Sequence, residues 1–591
     1  MQAISVEGVV SPSPIPYRQL LVRYVRPLWH QSVVLLALLL LSTGLQIVTP
    51  QIVRYYIDTA SSGGGVQLLT LAGVAYLGVA IITQAVRVID TYVAENLGWN
   101  ITNTLRGDLI DHCLCLDMRF HTMHTPGEMI ERIDGDVMLL SNFFTCFVIV
   151  MLGTALLLIG VLVVLFVQDW RVGLVFTIFV IGALAIFYTV RNVSTAEWER
   201  ARQSSADLFG YLEERLGGVE DIRANGGGDY ALRRLYERLR ANLRFTNRAN
   251  VIGVVTPFVL YVCIGAGEGL TFSLGGPLRV AGTITIGTMY LFYMYLILLV
   301  LPLTQIGNQI NDLQQASAGL RRIQHILQTS SAIKDGPGVD LPARAPSIEF
   351  VNVSFAYQEE EAALQGISFS LARGRVLGLL GRTGSGKTTI TRLLMRFYDP
   401  ATGSIRLDRF DLQAFKVADL RRQIGVVTQD VQLFHATVRD NLTLFDNNVS
   451  DARIVDVLET LGLGAWLKRL SHGLDTMLAG DADLSAGEAQ LLAFARVFLA
   501  DPKLVILDEA SSRLDLSTMQ LVESAVDTLL QGRTAIVIAH RLETIARADE
   551  ILILNQGKIQ EYGERVQLAG DVNSRFYYLL HSGKEIVEVL E

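Results

Sequence analysis

Long apolar runs crowd the first 310 residues, and shorter ones broken by charged residues fill the remainder. Six of the long runs approach the ~20 residues that an α-helix needs to cross the hydrocarbon of a bilayer. They cover about Ser32 to Val53, Val66 to Val88, Phe143 to Val167, Trp170 to Val190, Val251 to Phe272 and Ile284 to Ile306. Gly63, Gly64 and Gly65 turn the first pair, and Gln168 and Asp169 make a short turn between the third and fourth. The stretches 91–141 and 191–250 are polar, periodic and poor in breakers. They read as helical extensions of the spans that leave the membrane, with reversals near Thr125-Pro126-Gly127-Glu128 and near Ala206 to Gly217 and Gly226 to Gly228. Proline suits the first turn of a helix, so one short helix is expected from Pro126. Tyr17 to Trp29 mixes Arg18, Arg23 and Arg26 with leucines and aromatics and reads as an amphipathic elbow at the interface.

The 591 residues exceed one ordinary core, and 50% are hydrophobic against 18% charged. A membrane half (17–325), a linker (326–346, ending KDGPGVDLPARAP) and a soluble half (347–591) follow from the uneven charge, with residues 1–16 as a flexible polar lead. That lead lacks the basic-then-apolar order of a cleavable signal. A net charge of −8 gives no reason to expect nucleic acid as a partner. Cys113, Cys115, Cys146 and Cys263 have no disulfide or metal spacing. Arginines cluster before the first span, between the second and third, between the fourth and fifth, and after the sixth, while the alternate loops hold only Arg171 and Arg279. Both termini should then face the cytoplasm of a multi-pass protein of the cell membrane. Polar residues in the spans are few. Arg87 and Asp90 end the second, and Tyr290, Tyr293, Tyr295, Gln305, Asn308 and Gln309 lie in or after the sixth, as cavity wall or as packing and interface anchors. No acidic or histidine series crosses the spans, which argues against a proton relay and for an amphipathic or lipid-like substrate.

The soluble half carries the chemistry. Gly381-Arg382-Thr383-Gly384-Ser385-Gly386-Lys387-Thr388 fits G-x-x-x-x-G-K-[ST] between an apolar strand and a helix. Glycines there let consecutive backbone N–H groups curl around a phosphate, and the helix start adds donors. Lys387 can reach the outer phosphates of ATP, and Thr388 can offer its hydroxyl to Mg2+. Gln429 ends the strand from Ile424 and can touch Mg2+ or water. Asp508 and Glu509 end the buried strand KLVIL, placing Asp508 to hold Mg2+ and Glu509 to orient the attacking water. His540 follows the strand TAIVI and can contact the γ-phosphate. Tyr357 ends an early strand and serves either as an adenine platform or as edge packing. Ser485 and the N–H of Gly487 open another helix, a second anion site that makes sense against a nucleotide held by another subunit.

These motifs together resemble a half-size ATP-binding cassette exporter, over nearly the whole chain after about residue 15. The fold class that the resemblance implies is a six-span helical membrane bundle fused to a cytoplasmic α/β P-loop ATPase. It implies that Tyr357 stacks on adenine and that Gly381 to Thr389 form the P-loop. It implies that Gln429 links nucleotide state to the membrane half, and that Leu484 to Glu488 is the signature segment. Asp508, Glu509 and His540 match the magnesium aspartate, catalytic glutamate and switch histidine, and Ser511 to Asp515 the segment crossing a dimer boundary. Thr125 to Ile130 and Asp207 to Arg215 would be the coupling helices. The departures are LSAGE where the family usually has LSGGQ, TMLAGD before it, and Arg513 in the crossing segment. With Glu509 and His540 intact, this mixture resembles one subunit of an asymmetric heterodimer, a homodimer being the alternative. The expected activity is ATP-driven export or flipping of amphipathic molecules. An importer of the same architecture and a regulatory ATPase without transport are the rivals.

Overall fold

The computed structural model describes residues 22–146, 151–340, 344–357, 362–478, 484–508, 516–538 and 542–581. The polar lead and the start of the elbow lie outside the described residues. Two compact units divide the chain. One comprises Met1–Cys115 and Thr125–Thr329, the other Leu116–His124 and Ser330–Glu591.

The first unit is helical, as apolar segments must be where lipid offers backbone groups no hydrogen bonds. Among the described residues, Val22–Ser61, Val66–Cys115, Trp170–Phe187 and Gly228–Val280 are long and apolar enough to cross a membrane, and Gly153–Gln168 and Ile286–Val300 are shorter apolar helices. The six together fall on the six expected runs. Asp169 ends the Gly153–Gln168 helix and caps the next, its carboxylate accepting from the N–H of Arg171 at 2.7 Å. The core gathers Leu291, Phe292, Tyr295, Leu296 and Leu299 with Val161, Leu165 and Phe176. Gly267 is small because the neighbouring helix comes close: a Cβ there would lie 2.2 Å from Leu296 Cδ1. Asp58 ties two helices, accepting from Gly287 N at 2.8 Å and Thr285 Oγ1 at 2.7 Å.

The helices continue well past their apolar windows. Val66–Cys115 has 50 residues, about 75 Å at 1.5 Å per residue. Arg322 grips Asp136 through Nε and a terminal nitrogen, and Arg106 pairs with Asp134 at 2.9 Å. One open alternative is decided and one expectation needs correction. Of its two expected roles Tyr295 takes packing: it is fully buried, and its hydroxyl donates to Ile47 O at 3.0 Å and accepts from Gln51 at 2.9 Å. Asp207 to Arg215 form no short helix of their own. They lie inside the unbroken Trp170–Gly217 helix, and the short helix after the turn is Val219–Ala224. The helix expected from Pro126 is present as Pro126–Ile130, its cap Thr125 accepting from Glu128 N at 3.2 Å. A further short helix, Met118–Met123, precedes it and belongs to the second unit.

That second unit is built on strands β1 (Ile348–Ala356), β2 (Ala362–Leu371), β3 (Val376–Gly381), β4 (Thr402–Leu407), β5 (Phe410–Asp411), β6 (Ile424–Val427), β7 (Ala436–Thr437), β8 (Met477–Leu478), β9 (Leu504–Asp508), β10 (Thr534–Ile538), β11 (Glu550–Asn555) and β12 (Lys558–Glu564). The central sheet runs β12-β11-β3-β10-β9-β6, parallel except at β12. An antiparallel sheet runs β2-β1-β4-β5, and β7 and β8 form a ribbon. Both faces of the central sheet are covered, which is why β3 is buried throughout. Side chains alternate between two cores: Val376, Leu380, Val505, Leu507, Ala535 and Val537 face one, and Leu377, Leu379, Leu504, Ile506, Ile536 and Ile538 the other. The Met118–Met123 helix joins this unit through Thr122 Oγ1, 3.3 Å from Tyr398 OH, and through Asp117, which accepts from Phe120 N and from Ala332 N.

Candidate nucleotide site

Parallel pairing puts the ends of β3, β9, β10 and β6 along one edge, with Ile538 in register with both Leu379 and Asp508. Ligands of open α/β sheets bind outside these carboxyl ends. The residues expected at the site fall there: Gly381 ends β3, Gln429 follows β6 by two residues and is exposed, and Asp508 ends β9. Glu509, His540 and the Ser511 to Asp515 segment lie outside the described residues.

The loop after β3 is shaped by backbone approach. A Cβ on Gly381 would meet Ser385 Oγ at 2.4 Å and Leu554 O at 2.5 Å. Gly384 and Gly386 adopt φ of +80° and +107°, open to glycine without a Cβ penalty. At Gly386 a Cβ would also lie 2.6 Å from Leu364 Cδ2. The Lys387–Leu394 helix starts with no side-chain cap. Ser385 is buried and its Oγ has no hydrogen-bond partner among the described residues. Lys387 is buried too, and its Nζ donates to Gly381 O at 2.6 Å and Arg382 O at 2.9 Å. Arg382, Thr383 and Thr388 are exposed, while Thr389 is buried. A glycine cradle, an uncapped helix start and an orphaned hydroxyl fit a phosphate chain. Thr388 and Asp508 offer hard oxygens, which suit a Mg2+ ion that takes one or two protein ligands and fills the rest with phosphate and water.

Tyr357 is half-buried. Its hydroxyl donates to Thr389 Oγ1 at 3.3 Å, Phe355 and Tyr398 meet it edge-on, and the Arg392 guanidinium sits 5.8 Å from its ring centroid. An adenine would share this ring with Arg392, a neighbour that sequence reasoning missed.

The signature segment is organised differently from the P-loop. Ser485 caps the Ala486–Ala500 helix by accepting from Glu488 N at 3.2 Å, and Glu488 Oε2 accepts from Ser485 N and Ser485 Oγ, each at 3.0 Å. Arg469 reaches Glu488 Oε1 at 3.4 Å. The glutamate that replaces the family's glutamine therefore completes a capping box. Gly487 is buried, and a Cβ there would lie 2.2 Å from Thr518 Cγ2. Farther along this helix, Arg496 donates to Asn441 O at 2.8 Å and Gln432 O at 3.0 Å. Burial pushes its guanidinium below the usual value. This arginine ties the helix to the segment three residues past Gln429. A lone arginine in LLAFARVFLA was its sequence signal, since a charge on an apolar helix must find carbonyls.

A helical unit with membrane-length apolar helices, in one chain with a P-loop at the edge of a parallel sheet, defines an ATP-driven membrane transporter. Residues 33–303 match the model of the ABC transporter transmembrane region, and residues 364–512 match that of the ABC transporter. An uncharacterized ABC transporter ATP-binding protein, YknV of Bacillus subtilis, is 31% identical over 564 residues, covering 93% of this chain and 91% of the relative. An ATP-dependent lipid A-core flippase of Alcanivorax borkumensis is 29% identical, covering 93% and 95%. The structure of a bacterial Atm1-family ABC exporter with ATP bound superposes with a TM-score of 0.77 at 25% identity, covering 94% of this chain and 98% of that one. The chain belongs to the ABC transporter family. It is a multi-pass membrane half-transporter whose nucleotide-binding unit couples ATP hydrolysis to transport.

Proposed function

We infer that this chain is one half of a dimeric exporter or flippase of amphipathic, lipid-like molecules in the cell membrane, with both termini cytoplasmic. The observation that carries the reading is the conjunction, in one chain, of a phosphate cradle and six apolar helical stretches. Relatives named as a lipid A-core flippase and as a probable multidrug resistance transporter support it. The arginine-rich segments, which all fall on one side of the spans, support the orientation.

ATP would lie along the Gly381 to Thr389 loop, with Tyr357 against the base. Lys387 would exchange the carbonyls of Gly381 and Arg382 for the outer phosphates. Thr388, Asp508 and, directly or through water, Gln429 would hold Mg2+, whose charge offsets that of the phosphates. Glu509 would orient the attacking water and take its proton, and His540 would steady the γ-phosphate. Water then adds to the γ-phosphorus as its bond to the leaving oxygen breaks, giving ADP and phosphate. Ser485 and Gly487 would complete the nucleotide of a second subunit, and closing and opening of that shared interface would alternate access to the membrane path. A sister subunit fits the LSAGE signature beside an intact Glu509 better than a second copy does.

Three measurements test this. ATP-driven accumulation of an amphipathic probe in inside-out vesicles is expected, and accumulation only in right-side-out vesicles would support import. Intact mass of the complex from native membranes should show a second, homologous chain. Glu509→Gln should slow hydrolysis about a thousandfold and trap ATP, whereas turnover near wild type removes that residue from the chemistry.

A further inference from the structure

Most ionisable side chains in or next to the apolar windows of the membrane unit have partners. Arg54 lies 3.7 Å from Asp58 and donates to Gln168 at 3.0 Å, and Arg87 donates to Gln46 Oε1 at 3.0 Å. Two carboxylates differ. Asp90 is 4% exposed and its Oδ1 has no partner among the described residues. Glu268 is half-buried, with no hydrogen bond or ion pair among the described residues.

Glu268 is the one acidic residue of the Val255–Val280 helix, and Arg279 is its one base, eleven residues on and about 16 Å along the axis. Its neighbour Gly267 abuts Leu296, which sets Glu268 level with the fully buried Tyr295. The turn at Gly282 is 14 residues away, about 21 Å, against a hydrocarbon core of about 30 Å. The carboxylate therefore sits deep within the apolar layer. Cys263, Gly267 and Thr271 form the buried face of the helix, and Glu268 stands on the half-buried flank beside it. An acid at this depth is costly against lipid and is retained where it faces a path or takes a cation. Tyr290 and Tyr293, half-buried with ring centroids 6.0 Å apart, offer aromatic faces on the adjoining helix within about one and a half turns of the level of Tyr295. Asp90 places a second unpartnered carboxyl roughly two turns closer to the Trp29 end, judged from the Arg87–Gln46 and Tyr295–Gln51 bonds.

We propose that Glu268 is the charge-selecting residue of this transporter, pairing with the cationic nitrogen of an amphipathic substrate as it passes the middle of the membrane. The inference rests on the transport reading above and adds the charge of the cargo.

The full complex, purified from native membranes and reconstituted, is offered two fluorescent amphiphiles of equal length. One ends in trimethylammonium and the other in its neutral tert-butyl counterpart. Wild type should favour the cation by roughly tenfold in apparent affinity, as a charge-assisted pair implies. Glu268→Gln should bring the two probes within about twofold of each other, and Glu268→Asp should keep part of the preference. Equal preference in wild type and Glu268→Gln, or a wild type that favours the neutral probe, overturns the assignment while leaving export intact. Where Glu268→Gln moves neither probe, the aspartate variant decides: regained cation movement supports the assignment and none overturns it. A wild type that hydrolyses ATP and moves neither probe overturns the transport reading and this inference with it.

Discussion

Two helices of the nucleotide-binding unit, starting at Lys387 and at Ala486, follow small N-cap residues, and their starts are built in opposite ways. The first has Gly386 at its N-cap and no side chain closing it, and beside it stands a buried serine hydroxyl with nothing to bond. The second is closed by its own residues through the Ser485–Glu488 box, and Arg469 reaches in from outside the helix. Their glycines differ as well. Gly381 is small because backbone approaches it, at Leu554 O, whereas Gly487 is small because the Thr518 methyl does. The P-loop helix leaves its terminal donors for a ligand. The signature helix has settled its first turn before any ligand arrives, so a partner's nucleotide would meet a preformed and partly neutralised surface.

The largest expected effect breaks the open start. Lys387→Ala should weaken ATP binding by about 100-fold, because it removes the ammonium folded over the cradle. Equilibrium binding of a fluorescent ATP analogue to the purified full chain measures it, and unchanged affinity would move the phosphate site elsewhere.

Why the P-loop was legible in the sequence and the signature helix less so follows from this difference. Gly381, Gly384, Gly386 and Lys387 answer to local geometry, so spacing along the chain carries their meaning. The β3, β9 and β10 runs were legible for a related reason, since buried parallel strands read as continuous apolar segments. From sequence, Glu488 was legible only as the acidic residue of LSAGE where the family usually has glutamine. Its engagement by Ser485 and Arg469 depends on Arg469 being brought back from 19 residues away. Thr518 behind Gly487 and Arg392 beside Tyr357 are likewise tertiary neighbours without a fixed spacing. In the membrane unit, apolar length located the spans, but the buried bond of Tyr295 to Ile47 and the continuity of the helix through Asp207 to Arg215 lie in packing that hydropathy does not record.

A middle-sized effect separates the two kinds of glycine. Overpacking a tight site costs about 1–3 kcal/mol, and alanine gains about 1 kcal/mol over glycine inside a helix. Gly487→Ala should then lower stability by roughly 1 kcal/mol net. Thr518→Ser removes the methyl that the new Cβ would strike, so the double variant should recover most of that loss. Gly381→Ala should have no such full rescue, because trimming Ser385 would leave Leu554 O, which is backbone and cannot be trimmed. Thermal unfolding of the purified chain reads all four proteins. Equal losses in Gly487→Ala with and without Thr518→Ser would show that the Thr518 contact does not set the need for glycine.

The smallest effect tests whether the signature helix is electrostatically spent. Glutamine can close a capping box as glutamate does, so Glu488→Gln should change stability by less than about 0.5 kcal/mol, while Glu488→Ala should cost about 1 kcal/mol. The informative comparison is turnover. If the Glu488 charge reached a partner's phosphates, its removal would raise ATP hydrolysis several-fold. Its oxygens are already engaged by the Ser485 N–H and hydroxyl and by Arg469, and that arginine is largely solvent-exposed, which keeps the pair weak but correctly placed. Turnover of Glu488→Gln should therefore stay within about twofold of wild type at low salt and at high salt alike, because little unbalanced charge remains to be screened. A several-fold rise confined to low salt would mean that the helix start still projects net negative charge, and that the closed cap is a structural feature with no bearing on the neighbouring nucleotide.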